Sequence, residues 1–125
     1  PKYYETREDA LLRFRLVPGQ AGPDTKYLQP IAEYSVVQKE KGWSWRHDWS
    51  TITEPYDQYI NERVPKLTQP ISFVYGGASQ VSGSEVAAYF VELATAKVEV
   101  IEIVDGGHHL MLDKPDECIA VLKGK

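Results

Sequence analysis

A chain of 125 residues with a formal net charge of −4 and charges of both signs along its length excludes several classes of protein. Because it has no block of Lys and Arg and no apolar run of the roughly 20 residues that cross a bilayer, we expect neither a nucleic-acid partner nor a membrane partner. Its single cysteine, Cys118, excludes an intrachain disulfide and suits a reducing compartment, so a cytoplasmic location is expected. The chain begins at Pro1 and its only methionine is Met111, so we expect a piece of a longer protein.

The first part of the chain predicts short helices. Thr6 with an acid three residues later resembles a capping box and predicts a helix from about Arg7. Pro23-Asp24-Thr25 could start a second helix, but Pro30 is tolerated in the first turn of a helix and not in its interior, so a start near Leu28 is predicted. The segment from Tyr56 to Leu67 has a helical pattern that a proline interrupts.

All three tryptophans, Trp43, Trp45 and Trp49, alternate with polar residues in one segment that also contains His47. An extended backbone would place these four side chains on one face. One interpretation is an aromatic patch that closes a small helical subdomain. The other is a wall of a substrate pocket, since pockets are lined by such side chains. The two can both hold, and we predict the three tryptophans as substrate-binding residues.

The second part of the chain predicts a strand, a helix and a strand. Ile71 to Tyr75 is a β-type run followed by two glycines, and Val98 to Val104 is a second run. Between them, Ser82-Gly83-Ser84-Glu85 matches a capping box and precedes an apolar helical face. This spacing indicates a βαβ unit with two parallel strands.

A short helix from about Pro115 to Lys123 is predicted to complete the chain, with Cys118, Ile119 and Leu122 pointing inward. Nothing near Cys118 in the sequence would lower the pKa of its thiol. We therefore expect a small buried apolar residue there rather than a nucleophile.

His108 is the candidate catalytic residue, because it follows the second strand at Asp105-Gly106-Gly107. Ligands bind at the carboxyl ends of strands in open α/β sheets. His109 is adjacent, and neighbours on extended backbone point in opposite directions, so at most one of them is expected to enter a given site. A structural histidine is the alternative. With His47 as the remaining histidine and no acid at ligand spacing, no metal and no cofactor are predicted.

A histidine base needs a nucleophile and an orienting acid. The usual serine lies in Gly-x-Ser-x-Gly on a strand-to-helix turn, and the segment from Gly77 to Val81 matches only the first half of that pattern. The chain therefore contains a candidate base without a nucleophile.

Two stretches resemble the α/β-hydrolase fold family, in particular its esterase-like and epoxide-hydrolase-like members. The sequence I-E-I-V-D-G-G-H-H-L-M-L-D-K-P, which ends at Pro115, resembles the last core strand and the catalytic-histidine loop, and Gln69 to Ser79 resembles the preceding strand and loop. Leu11 to Pro18 and Gly42 to Asp48 resemble segments of the helical cap. The resemblance implies an α/β fold: a partial hydrolase core (βαβ with a C-terminal helix) in residues 67–125, preceded by a helical cap or lid portion in residues 1–66.

The resemblance further implies a serine-type hydrolase that cleaves an ester or related acyl bond of a small molecule. His108 would take the proton of the serine hydroxyl and later activate water. His109 matches a bulky packing residue and is a further candidate for substrate binding. Many members place the acid at the position of Ser79 or Gln80, and neither is acidic. Others supply it from the strand before the cap, a segment that would lie before Pro1, as would the serine.

Whether this chain alone is an enzyme is therefore uncertain from its sequence. Epoxide hydrolase and dehalogenase chemistry stays open, since it depends on whether the nucleophile is Ser or Asp. The alternative is a hydrolase-like fold without catalysis that binds a ligand or a partner protein. Two parallel strands leave an exposed edge, so we expect the N-terminal half of the hydrolase, or a second copy, to pair there.

Overall fold

The computed structural model describes residues 2–20, 25–47 and 56–124. The chain forms two compact units, one of residues Pro1–Gly19 and Pro23–Glu54 and the other of residues Gln20–Gly22 and Pro55–Lys125. The division falls before residue 66, where the sequence predicts the end of the cap. The assignment of the two parts as cap and core stays a prediction.

The first unit combines two helices with a hairpin. Its elements are α1 (Arg7–Leu12), α2 (Thr25–Ser35), β1 (Val36–Lys39) and β2 (Gly42–Trp45). Helix α1 begins as predicted, because the backbone N–H of Asp9 donates to Thr6 Oγ1 at 3.0 Å. Helix α2 begins at Thr25, within the first of the two starts considered, so the prediction of a start near Leu28 is wrong. Pro30 lies inside it, since one missing N–H leaves the other hydrogen bonds of an 11-residue helix in place.

Strands β1 and β2 pair antiparallel, with Val36 opposite Trp45 and Lys39 opposite Gly42. The extended backbone predicted for the tryptophan segment is thus present at 42–45, whereas β1 was not predicted. Gly42 has φ of 121° and packs so closely that a Cβ would lie 2.7 Å from the carbonyl oxygen of Tyr4. Glycine at this position lets the hairpin turn tightly against the N-terminal segment.

The second unit contains a parallel strand pair. Its elements are α3 (Tyr56–Arg63), a 3-10 turn (Val64–Lys66), β3 (Ile71–Gly76), α4 (Ser84–Leu93), β4 (Val98–Ile103), α5 (Leu110–Asp113) and α6 (Pro115–Lys123). Strands β3 and β4 pair in parallel from Ile71 opposite Val98 to Gly76 opposite Ile103, with α4 between them in the chain. The predicted βαβ unit is confirmed.

The core of the second unit lies around this strand pair and the histidine loop. Its buried apolar residues include Val64, Tyr75, Ala87, Ile103, Leu110 and Leu112. Helix α6 departs from expectation, because Ile119 is 46% and Leu122 is 75% exposed. Both were predicted to point inward, and that prediction is wrong because two strands offer too little surface to cover the whole apolar face of the helix. Within the described ranges, no helix has the length and apolarity needed to cross a membrane.

Candidate functional site

The loop that carries His108 leaves the end of β4 through a tight turn. Asp105 has φ of 57°, and the backbone N–H of Gly106 donates to the carbonyl of Ile103 at 3.1 Å. The carbonyl of Gly106 in turn accepts from the backbone N–H of Ala78 at 2.9 Å. The parallel pairing of β3 and β4 therefore brings the loops that follow both strands together at one end of the sheet.

Gly76 shows how closely these two loops approach. A Cβ on Gly76 would lie 2.2 Å from the carbonyl oxygen of Gly106 and 2.3 Å from that of Gly107. Contacts this short do not occur for a real side chain. The glycine at the end of β3 is thus required by the position of the histidine loop.

The imidazole of half-buried His108 faces two serine hydroxyls. Its Nδ1 lies 3.3 Å from Ser79 Oγ and 3.4 Å from Ser82 Oγ, and the two hydroxyl oxygens lie 3.4 Å from each other. Ser79 is one of the two positions, with Gln80, at which the family resemblance expects the acid. A hydroxyl pair therefore occupies the side of the ring on which a triad carboxylate would lie.

The hydrogen-bond roles of these hydroxyls differ from those of a carboxylate. Ser79 Oγ accepts the backbone N–H groups of Val81 at 3.3 Å and Ser82 at 3.1 Å. With both lone pairs so used, its own proton can go to Ser82 Oγ or to His108 Nδ1. A carboxylate only accepts, and so fixes the tautomer with the proton on Nδ1. The serine pair orients the ring without imposing that tautomer.

Ser82 was predicted to cap helix α4, and this prediction is wrong. The residue at the N-cap is Gly83, and it makes no side-chain capping bond. The Ser82 hydroxyl instead faces His108. A capping-box pattern cannot distinguish a serine that caps a helix from one that turns toward a neighbouring loop.

His108 and His109 do not point in opposite directions. Their ring centroids lie 5.2 Å apart with an interplanar angle of 77°, an edge-to-face contact. The prediction was wrong because the loop is not extended at this point: His109 has φ of −92° and ψ of 66°. Both rings therefore belong to the same cluster.

Two side chains that the sequence did not single out hold the backbone on either side of His108. The backbone N–H of Gly107 donates to Asp113 Oδ2 at 2.8 Å. The backbone N–H of His109 donates to Gln20 Oε1 at 2.7 Å, across 89 positions of the sequence. The other polar atoms, Asp113 Oδ1 and Gln20 Nε2, are buried and have no hydrogen-bond partner among the described residues.

An acid also lies near the turn after β3. Glu102 Oε2 accepts a hydrogen bond from the Tyr75 hydroxyl at 2.9 Å, and its Oε1 would lie 2.5 Å from a Cβ on Gly77. The hydrogen bond to Glu102, with smaller contributions from burial and from the charge of Glu102, raises the pKa of Tyr75. Glu102 is therefore engaged by the tyrosine.

Cys118 is half-buried on α6. Burial, and then the nearby charges of Asp113 and Glu117, raise the pKa of its thiol. These effects favour the unreactive thiol form, as expected for a cysteine that is not a nucleophile.

The predicted tryptophan face belongs to the first unit, and Trp49 lies outside the described residues. Trp45 makes edge contacts with Tyr4 and Phe14 at centroid distances of 5.6 and 5.9 Å. Trp43 is half-buried and forms a backbone bridge to Tyr4. A cavity of about 500 Å³ is lined by Arg13, Phe14, Arg15, Leu16, Val17, Ser35, Trp45 and His47. Trp45 thus serves both in an aromatic cluster and in a cavity wall.

Solved structures of two proteins are similar to this chain. Two structures of the esterase Rv0045c from Mycobacterium tuberculosis match with TM-scores of 0.75 and 0.72 at 22% and 23% identity. The thioesterase domain from the curacin biosynthetic pathway matches with a TM-score of 0.68 at 21% identity. The matches cover 97–98% of this chain and 42–43% of the other chains.

No protein-family model and no curated protein matches the sequence. At these identities the structural similarity establishes the fold, and the chain spans less than half of the length of the proteins that it matches. The predicted resemblance to the α/β-hydrolase fold family is therefore confirmed for the fold. The chain has the fold of part of an α/β-hydrolase.

Proposed function

We propose that this chain is the C-terminal part of a serine-type α/β-hydrolase that cleaves an ester or related acyl bond, with His108 as the general base. The observation that carries the proposal is the position of His108. It lies on the loop after the second of two parallel strands, with Nδ1 held from one side by hydroxyls. The similar solved structures are an esterase and a thioesterase domain, which supports an acyl substrate.

In this mechanism His108 Nε2 takes the proton of a serine hydroxyl that the rest of the protein supplies. The serine oxygen attacks the acyl carbonyl, and the protonated imidazole gives its proton to the leaving alcohol or thiol. His108 then takes a proton from water, which cleaves the acyl-enzyme. Nε2 can act in this way only when Nδ1 carries the ring proton. Ser82 Oγ can then accept the hydrogen bond from that proton, whereas the lone pairs of Ser79 Oγ are already used by two backbone N–H groups.

The acid of the triad is proposed to come from outside this chain, as in members that place it after the strand before the cap. Ser79 is not acidic, and Glu102 is hydrogen-bonded to Tyr75. Strand β3 pairs with β4 among the described residues and keeps a second edge. The N-terminal half of the hydrolase is proposed to pair at that edge, with self-association of the isolated chain as the competing outcome.

The substrate-binding residues are proposed to be Trp43, Trp45, Trp49 and His109. The best support concerns Trp45, because it lines the cavity of about 500 Å³ in the first unit together with apolar side chains. His109 is supported by its ring contact with His108. The small-molecule acyl substrate and the cytoplasmic location are likewise part of the proposal.

Ester turnover by the full-length protein tests this proposal. With a short-chain p-nitrophenyl ester, His108→Ala is expected to lower kcat by about 10³-fold or more, because the general base is lost. His109→Ala removes the adjacent imidazole, and because His109 is a proposed substrate-binding residue, this variant is expected to raise KM while kcat stays within about tenfold of the wild type. Equal loss in both variants, or no turnover in the wild type, contradicts the proposal.

A hydrolase-like protein that binds a ligand or a partner without turnover is the second candidate. The observation that favours it is the pair of hydroxyls at His108 Nδ1, where a carboxylate would be needed if no other part of the protein supplied one. The same assay separates the candidates. If the second candidate is correct, an acyl compound will bind, as seen by a change in tryptophan fluorescence. No turnover that is lost in His108→Ala will then be detected.

A further inference from the structure

We propose that Gln20 and Asp113 are positioning residues that hold His108 in place by binding the backbone N–H groups on its two sides. This inference rests on the proposed function, in which His108 is the base. Neither residue contacts reacting atoms. Each acts on the loop, and the loop carries the imidazole.

The first argument is the symmetry of the contacts about His108. Gly107 N–H donates to Asp113 Oδ2 at 2.8 Å and His109 N–H donates to Gln20 Oε1 at 2.7 Å. These two bonds hold the Gly106–Gly107 peptide group, one residue before the histidine, and the His108–His109 peptide group, which follows it. The imidazole Nδ1 also faces the hydroxyls of Ser79 and Ser82. Side chains therefore contact the backbone before His108, the backbone after it and its ring.

The second argument concerns where the two acceptor side chains, Asp113 and Gln20, lie in the sequence. Asp113 lies at the end of α5, six residues after the N–H that it binds, so it closes the loop locally. Gln20 lies 89 positions away in sequence from His109. The loop is therefore tied to a distant segment of the second unit, and local backbone preference alone does not determine its conformation.

The third argument is the absence of a side chain at Gly107. A Cβ there would lie 2.8 Å from both Cδ and Oε1 of Gln20 and 2.9 Å from its Nε2. The amide group of Gln20 thus lies directly over Gly107. A methyl group at 107 would push away the end of a flexible side chain rather than backbone, so Gly107→Ala should displace Gln20 while the fold is kept.

These contacts give two independent ways to remove one bond. Gln20→Ala deletes the acceptor, and Gly107→Ala displaces it. If both act through the His109 N–H, their effects on kcat will not multiply in the double variant. Gln20→Glu keeps an oxygen that can accept from His109, and Asp113→Asn keeps one that can accept from Gly107, so each serves as the conservative rescue of the corresponding alanine variant.

The experiment measures kcat and KM of the full-length protein with a short-chain p-nitrophenyl ester. Gln20→Ala and Asp113→Ala are each expected to lower kcat by about 10- to 100-fold, because a misplaced base loses reactivity steeply with distance. KM is expected to stay within about twofold, since substrate contacts are kept. Gln29→Ala, on exposed α2, is the matched control and should retain wild-type kcat.

Amide hydrogen exchange supplies a readout that does not depend on turnover. The His109 amide is expected to exchange at least about tenfold faster in Gln20→Ala, and the Gly107 amide likewise in Asp113→Ala, because each loses its acceptor. Wild-type kcat in Gln20→Ala and Asp113→Ala, in a protein whose turnover depends on His108, overturns the inference. Fully multiplicative effects of Gln20→Ala and Gly107→Ala overturn it too.

A failure of the proposed function gives a different pattern. In that case His108→Ala changes nothing, or the wild type has no turnover, and the catalytic part of the inference is overturned with the proposed function. Unchanged exchange rates at both amides would overturn the holding role itself, whatever the activity.

Discussion

Gly76→Ala tests whether the histidine loop must lie directly on the end of β3. The added methyl group would lie 2.2 and 2.3 Å from the carbonyl oxygens of Gly106 and Gly107, whereas ordinary contacts begin near 3.4 Å. Backbone atoms of the loop must therefore move by about 1 Å. A displacement of that size at a catalytic base can cost about 100-fold in rate. We expect a loss of this order in kcat, together with about 1–3 kcal/mol of stability from overpacking.

The assay compares kcat for a short-chain ester and the free energy of unfolding in urea for the full-length wild type, Gly76→Ala and Gly83→Ala. Gly83 is the control, because a Cβ there has nothing within 4 Å. Its alanine variant should lose at most about 1 kcal/mol as a helix-cap change and keep its kcat. Wild-type stability in Gly76→Ala would refute the geometry of the loop. Lower stability with unchanged kcat would refute the link between this loop and catalysis.

Three further predictions concern other parts of the chain. Thr6→Ala should destabilise the first unit by about 1 kcal/mol in urea unfolding, because the cap to Asp9 N–H is lost, and Thr6→Ser should not. The pKa of Tyr75 is raised above its ordinary value of 10.0, so its hydrogen bond to Glu102 contributes stability that is complete below pH 10.0 and is lost as the pH rises from there through the raised pKa. The difference in unfolding free energy between wild type and Tyr75→Phe should therefore be constant below pH 10.0 and shrink as the pH rises above it; a constant difference across both ranges would contradict this. Because burial first, and then nearby acids, raise the pKa of Cys118, iodoacetamide should modify it more slowly in the folded protein than in urea at pH 8.5; equal rates would show an exposed, ordinary thiol.

The strand pair could be predicted from the sequence because its signals are local. The sequence contains a β-type run that stops at Gly76-Gly77, then an apolar helical face, then a second β-type run. Few arrangements of two strands joined by a helix are possible at this spacing, and parallel pairing is the common one. The position of His108 after β4 follows from the same pattern. Helix α1 was predictable for a similar reason, since Thr6 and Asp9 cap it within three residues.

The details of the candidate site could not be predicted, because they depend on contacts between distant segments. Nothing in the composition around Gln20 indicates that it binds His109, 89 positions later. Ser82 fits a capping box as well as it fits a contact with His108, and only the approach of the two loops decides between them. The edge contact of His108 with His109 depends on loop dihedral angles that alternation along a strand does not describe.

The hairpin in the first unit was missed for a related reason. Strand β1 is four residues long, and a run this short is ambiguous without its partner. Its pairing with β2 supplies the missing information, since the register places Val36 opposite Trp45. Helix α2 begins at Thr25 rather than near Leu28, because the hydrogen bonds of its other residues are enough to keep Pro30 inside the helix.

The central claim is that His108 activates a serine hydroxyl, and trapping the covalent enzyme tests it most directly. Full-length wild type and His108→Ala are treated with a fluorophosphonate, and the intact mass is followed with time. The claim predicts a single addition to a serine in the wild type, slowed by about 100-fold or more in His108→Ala, because the nucleophile is weak without its base. No addition to the wild type, or addition at the same rate in both proteins, would contradict it.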